Sequence, residues 1–122
     1  AALLACKSSS SSAPKAAEVT VPVAELLLHY KSNEVAADQR FKGKRVRTTG
    51  VVSEIKKDIV DDIYVTIGTG AELEFPQVQA FFPDSLASKA AGLTSGQTIT
   101  VECNCEGVMM NVLMKECAFV GM

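Results

Sequence analysis

The sequence predicts an all-β domain with helical additions, a five-stranded barrel preceded by an N-terminal helix. Three observations carry that expectation. Period-two alternation recurs in five stretches between residues 44 and 120, an apolar stripe at helical spacing precedes them, and a short helical segment falls between the third and fourth stretches. A helix, three strands, a short helix and two strands is the element order of the OB-fold, β-β-β-α-β-β behind a helical entry.

Each element has a local reason. Thr20 is placed to cap a helix with Pro22 in its first turn, and Val23, Leu26, Leu27 and Tyr30 share one face at three- and four-residue spacing. A second helical turn is expected over 33–40, so the helical entry covers about 20–40. Lys42-Gly43-Lys44 breaks it. The first strand, 44–55, sets Val46, Thr48, Gly50 and Val52 on one face and Arg45, Arg47, Thr49 and Val51 on the other. Gly50 in mid-strand points to a bulge or sharp bend. After an acidic turn through Asp58, Asp61 and Asp62, residues 63–67 form the second strand, with Tyr64 facing away from the core. The third, 74–82, places Val78, Ala80 and Phe82 on one side and Gln79 and Phe81 on the other. Pro83-Asp84 opens a short helix over 85–91 that Gly92 stops, and the last strands, 98–106 and 111–120, are joined by a hairpin around Gly107 to Met110.

Composition bounds the function. A chain of 122 residues holds one ordinary domain and a short tail. Twelve Lys and Arg against 14 Asp and Glu leave a net charge of -2, which excludes a polycation that coats nucleic acid. That average hides a division: residues 40–57 hold seven basic groups against Glu54 alone, and the remainder holds five against 13 acids. The sequence has no Gly-x-Ser-x-Gly elbow, phosphate-binding Gly-rich loop or His-Glu-x-x-His helix, and His29 is its one histidine. No enzymatic activity and no cofactor are expected. Asp58, Asp61 and Asp62 lack the spacing and glycine of an EF-hand and read as a solvated turn.

From about 25 to 120, roughly four-fifths of the chain, the sequence resembles the tRNA-anti-like family of bacterial OB-fold proteins. The matching residues are Asn33-Glu34, Ala36-Ala37-Asp38, Phe41-Lys42-Gly43-Lys44 and Thr49-Gly50-Val51-Val52, then Gly96-Gln97-Thr98, Val101, Cys105-Glu106-Gly107 and Cys117. Most are turn and core positions, so the resemblance speaks to fold more than to ligand. It implies a non-enzymatic OB-fold binding module, with single-stranded nucleic acid as the ligand class.

The start of the chain resembles a bacterial lipobox. Leu3-Leu4-Ala5-Cys6 has the Leu three residues before a Cys that closes a lipoprotein signal peptide, and the run Ser8 to Ser12 follows. The resemblance implies lipidation of Cys6, with residues 1–17 as lipobox remnant and flexible tether and 18–122 as the domain. It also implies a lipid-anchored, periplasm-facing protein of the bacterial envelope. Lys7, where many inner-membrane lipoproteins carry Asp, points to the outer membrane.

Apart from Cys6 the cysteines are Cys103, Cys105 and Cys117, which fit one disulfide and one spare thiol in an oxidising compartment. The terminal hairpin brings Cys117 near Cys103 or Cys105. The family resemblance favours Cys105–Cys117, leaving Cys103 to pack beside Val101 and Ile99 as a small apolar residue. A zinc site would need a second half that the chain lacks, so no metal is expected.

OB-folds bind through the face of the second and third barrel strands, with basic contacts to phosphates and aromatic stacking on bases. The candidates here are Arg45, Arg47, Lys56, Lys57, Tyr64 and Phe81. An alternative is an interaction module for an envelope protein, peptide or small ligand, docking through an exposed Val108-Met109-Met110 hairpin tip.

Overall fold

β1 (Val19–Pro22), the first element of the computed structural model, runs parallel to β2 (Arg45–Lys57), pairing Val19 with Val46 and Pro22 with Thr49. The structure describes residues 17–122, so Cys6 and its proposed lipidation lie outside the described residues. Thr20 is therefore a strand residue and not a helix cap; Pro22 takes the N-cap in extended backbone, φ −62° and ψ 148°. The reason is local: Val19-Thr20-Val21 is a β-branched run, and Pro22 disfavours helical backbone at Val21 before it.

Helix α1 (Val23–Ser32) buries Val23, Leu26, Leu27 and Tyr30, the stripe read from the sequence. Asn33 then caps α2 (Glu34–Phe41), its side-chain oxygen accepting from the Ala36 amide at 3.1 Å. Phe41 is fully buried, with His29 edge-on to its ring at 5.5 Å.

The barrel consists of β2, β3 (Ile63–Gly68), β4 (Val78–Phe81), β5 (Thr98–Met109) and β6 (Asn111–Phe119). Their order is β2-β3-β4-β6-β5, closed by antiparallel pairing of β5 with β2, and β4 lies parallel to β6. This is the closed mixed barrel of the OB-fold, with β1 added beside β2. A 3-10 turn (Asp84–Leu86) and α3 (Ala87–Ala91) connect β4 to β5 and bury Ala90. Val46, Val52, Val65, Ile67, Val78, Val101, Val112 and Met114 fill the interior.

Three expectations about local geometry are corrected. Gly50 is not a bulge: it pairs in register with Ile99, and the break in β2 falls between Val52 and Glu54. A Cβ at Gly50 would lie 2.6 Å from Ile67 Cγ2 and 2.7 Å from Val23 Cγ1, so glycine serves a close approach of α1 to the sheet. The third strand starts at Val78 and not at residue 74. Pro76 has no amide hydrogen for a ladder, and Glu74 turns back to accept from the Thr69 amide and hydroxyl, each at 2.7 Å. Finally, β5 runs on to Met109, so the hairpin turns at Met110 with φ 66°.

The disulfide joins Cys103 to Cys117, with Cα atoms 4.2 Å apart, and not Cys105 to Cys117; Cys105 is the buried free thiol. Register decides this. Met114 stands opposite Cys105, whereas Cys103 and Cys117 meet between the pairs Glu102–Ala118 and Asn104–Lys115. That interval holds one extra residue on β6, and the interval from Cys105–Met114 to Gly107–Leu113 holds one extra on β5. The two bulges offset each other. Only Asn104–Lys115 and Cys105–Met114 lie in the shifted register, between left-handed residues at Gly107 (φ 95°) and Glu116 (φ 52°).

Candidate functional site

Strand pairing builds one row of side chains across the outer face of the barrel. Lys56 on β2 pairs with Tyr64 on β3, and Tyr64 pairs with Phe81 on β4. Ala80 pairs with Met114, so the next residue on each strand brings Phe81 beside Lys115 on β6. Because Val65, Ala80 and Met114 fill the core, their neighbours Tyr64, Phe81 and Lys115 point out. The Tyr64 and Phe81 ring centroids are 5.2 Å apart with planes tilted 46°, and Lys115 Nζ sits 4.8 Å from the Phe81 centroid. The row reads cation, aromatic, aromatic, cation.

The sequence candidates divide. Lys56, Tyr64 and Phe81 come together in this row. Lys57 takes the alternate face, in register with Ile63, with its ammonium 3.8 Å from Asp61. Arg47 lies across from β5, where its Nε donates to Glu102 Oε2 at 2.6 Å. Arg45 is corrected outright: it is only 5% exposed and cannot meet a ligand. Its Nη1 donates to the Glu116 carbonyl at 2.7 Å and to Asn104 Oδ1 at 3.3 Å. Lys115 is the member that sequence reasoning missed. Alternation from the buried Val112 and Met114 puts it outside, and the β6 bulge that follows turns Cys117 inward two residues later.

Acids border the row without closing it. Glu54, two pairs back along β2, approaches Lys56 at 3.7 Å, and both side chains are exposed. Asp58 organises the β2–β3 turn, its Oδ1 accepting from the Val60 and Asp62 amides at 3.0 and 2.9 Å. That carboxylate is occupied by its own backbone. Among the described residues no His, Cys, Asp and Glu cluster could hold a metal ion.

Behind the β5–β6 hairpin, a buried polar relay ties the helices to the barrel. The Tyr30 hydroxyl donates to Asp38 Oδ1 at 3.0 Å and lies 3.7 Å from Cys105 Sγ, which leaves the thiol as donor to the phenol. Burial, with the Cys105 contact second, pushes the Tyr30 phenol far above its usual range. Burial likewise raises the Cys105 thiol, so it stays protonated and unreactive. A shallow cavity of about 260 Å³ over Gly50 and Gly68, walled by Val23, Thr49, Thr69 and Thr98, contains no titratable group. Neither feature supplies the parts of a catalytic centre.

The similarities agree with this architecture. The family model tRNA_anti-like matches residues 4–118. Among solved structures, one from Klebsiella pneumoniae subsp. pneumoniae MGH 78578, a lipoprotein to which nucleic acid binding is provisionally ascribed, superposes with a TM-score of 0.67 at 21% identity. The match covers 83% of this chain and 90% of that one. A Leishmania major Friedlin protein provisionally assigned as an aspartyl-tRNA synthetase gives a TM-score of 0.58 at 17% identity, over 98% of this chain and 25% of that one. RecG bound to a three-way DNA junction gives 0.50 at 14% identity, over 84% of this chain and 12% of the other. At these identities the likeness is one of fold. No curated protein matches the chain. With a closed mixed barrel, a helix between its third and fourth strands and a family match over nearly the whole length, the chain belongs to the tRNA_anti-like family.

Proposed function

We propose that this chain is a non-catalytic OB-fold module of a bacterial envelope lipoprotein that binds single-stranded nucleic acid across the Lys56–Tyr64–Phe81–Lys115 row. The single observation that carries the reading is the row itself: two adjacent outward rings, tilted and half-exposed, flanked by an ammonium at each end. Aromatic faces accept any base, and flanking cations meet the phosphates on either side, which is the arrangement of a sequence-tolerant single-strand site. The names of the Klebsiella and RecG structures support the ligand class. The net charge of -2 argues for a short, weak site and against an extended one.

Anchoring belongs to the same proposal. Leu3-Leu4-Ala5-Cys6 supports lipidation at Cys6 and a periplasm-facing position, with Lys7 favouring the outer membrane. Among the described residues no helix is long and apolar enough to cross a membrane. Intact-mass measurement of protein extracted from membranes tests the anchor: an acylated Cys6 is expected, and a Cys6→Ala protein that still partitions with membranes overturns it.

The binding reading is tested by anisotropy titration of a fluorescein-labelled oligothymidylate. Micromolar affinity that weakens steadily with added salt is expected; no binding at low salt rejects nucleic acid as the ligand. The second reading, an envelope protein or peptide partner, is favoured by Met109 and Met110, which are 72% and 78% exposed at the hairpin tip.

A further inference from the structure

We infer that Gln79 gives the proposed binding row a preference for bases with an exocyclic carbonyl on the edge away from the sugar (uracil, thymine, guanine) over cytosine and adenine, which carry an amine there. The inference rests on the single-strand reading of that row and names the class of base it takes. Tyr64 is the second residue of β3 and Phe81 the last of β4, so the sheet continues on one side of the two rings only. The outward residues on that side are Glu54, Thr66, Gln79 and Leu113, in register across four strands. Glu54 faces Lys56, and Leu113 is apolar. Thr66 is 5% exposed, and its hydroxyl oxygen already accepts from the Glu54 amide at 3.0 Å. Half-exposed Gln79 is therefore the polar side chain placed to meet the edge of a base lying on the rings.

A chain of hydrogen bonds fixes which end of the Gln79 amide faces out. The Gln77 backbone amide can only donate, and it donates to Asn111 Oδ1 at 3.0 Å. Asn111 is thereby left with its Nδ2, which donates to Gln79 Oε1 at 3.3 Å. With Oε1 taken, Nε2 is the free end. Among the described residues, the buried side-chain nitrogens and oxygens without a partner are Arg45 Nε and Thr48 Oγ1, so Gln79 Nε2 lies in solvent. Gln79 thus offers a base edge an N–H donor and no acceptor. That donor matches the carbonyl of uracil, thymine or guanine, and it meets another donor in the amine of cytosine or adenine. Stacking accepts every base, so the contact adds a preference to the site without making binding depend on it.

The test titrates the full chain at neutral pH with fluorescein-labelled oligodeoxyuridylate and oligodeoxycytidylate of equal length, two pyrimidines of the same size that differ at this edge. The uridylate is expected to bind about two- to tenfold more tightly, the worth of one hydrogen bond. Gln79→Glu keeps an oxygen for Asn111 and turns the outward donor into an acceptor. Its charge weakens both ligands alike, so the ratio of the two affinities is the readout, and it is expected to vanish or reverse. Gln79→Leu, which adds no charge, is expected to equalise the two affinities and decides the matter if Gln79→Glu does not fold. Equal binding of both oligonucleotides by the unaltered protein, or an unchanged ratio in either folded variant, overturns the inference and leaves the row as an unselective site. Binding of neither overturns the nucleic-acid reading and this inference together.

Discussion

Tyr64 and Phe81 meet as direct partners across the β3–β4 ladder, their ring centroids 5.2 Å apart, on the outer side of a wall whose inner side is Val65 and Ala80. Neither ring is needed to fill the core. Truncating either, as Tyr64→Ala or Phe81→Ala, should therefore weaken oligonucleotide binding by about 1–3 kcal/mol, roughly a five- to 150-fold rise in Kd. Thermal melts of the same variants should move far less than those of a core truncation, and a titration series beside a melt separates the two effects.

The flanking cations should appear in the salt dependence more than in affinity at one salt concentration. Each phosphate contact on a single strand contributes about −0.7 to the slope of log K against log salt. Lys115→Ala and Lys56→Ala should each flatten the slope by about that amount. Arg47→Ala, whose guanidinium is already committed to Glu102, should leave it unchanged.

Opening the Cys103–Cys117 bridge with Cys103→Ala/Cys117→Ala should cost about 2–4 kcal/mol in denaturant unfolding, chiefly through the freed unfolded chain. Cys105→Ala should keep the bridge intact under non-reducing peptide mapping. A Cys105–Cys117 linkage in the native protein would contradict the register described above.

Alkaline pH should destabilise the fold through two groups. Burial raises both the Cys105 thiol and the Tyr30 phenol above their unfolded values, 9.0 and 10.0. A raised acid holds its proton longer in the folded state, so its contribution is complete below the unfolded value and is lost as pH climbs from there towards the folded one. Stability should fall above about pH 9, and Tyr30→Phe should flatten that decline while costing about 0.5–1.5 kcal/mol at neutral pH for the lost hydrogen bond to Asp38. Urea melts across the pH range check both.

Gly50→Ala should destabilise by about 1–3 kcal/mol, because the new methyl meets Ile67, Val23 and the Gly68 carbonyl at 3.0 Å or less. The denaturation midpoint measures it, and Val23→Ala in the same chain should recover part of the loss by opening the site.

The barrel was legible in the sequence wherever side chains alternate without interruption. Ile63 to Ile67 and the inward Val78 and Ala80 follow from period two alone, as do the outward positions of Tyr64 and Phe81. What was not legible depends on events that break the period. Arg45 alternates to the outside as read, yet the chain covers it, and no local pattern reports what a neighbouring strand will lay over a side chain. The choice between Cys103 and Cys105 turns on the extra residue at Glu116, a position with no glycine or proline to announce it. β1 was missed because a β-branched run of three residues before a proline satisfies a helix start and an edge strand equally well.

The parallel pairing of β1 with β2 has a mechanical consequence for the amino-end anchor proposed above. Tension entering ahead of Val19 pulls β1 along its own axis, so the pairs from Val19–Val46 to Pro22–Thr49 resist together in shear and do not peel apart one by one. Under such an anchor the load would pass through this ladder into β2 and the closed barrel, and would reach α1 only once the ladder gave way.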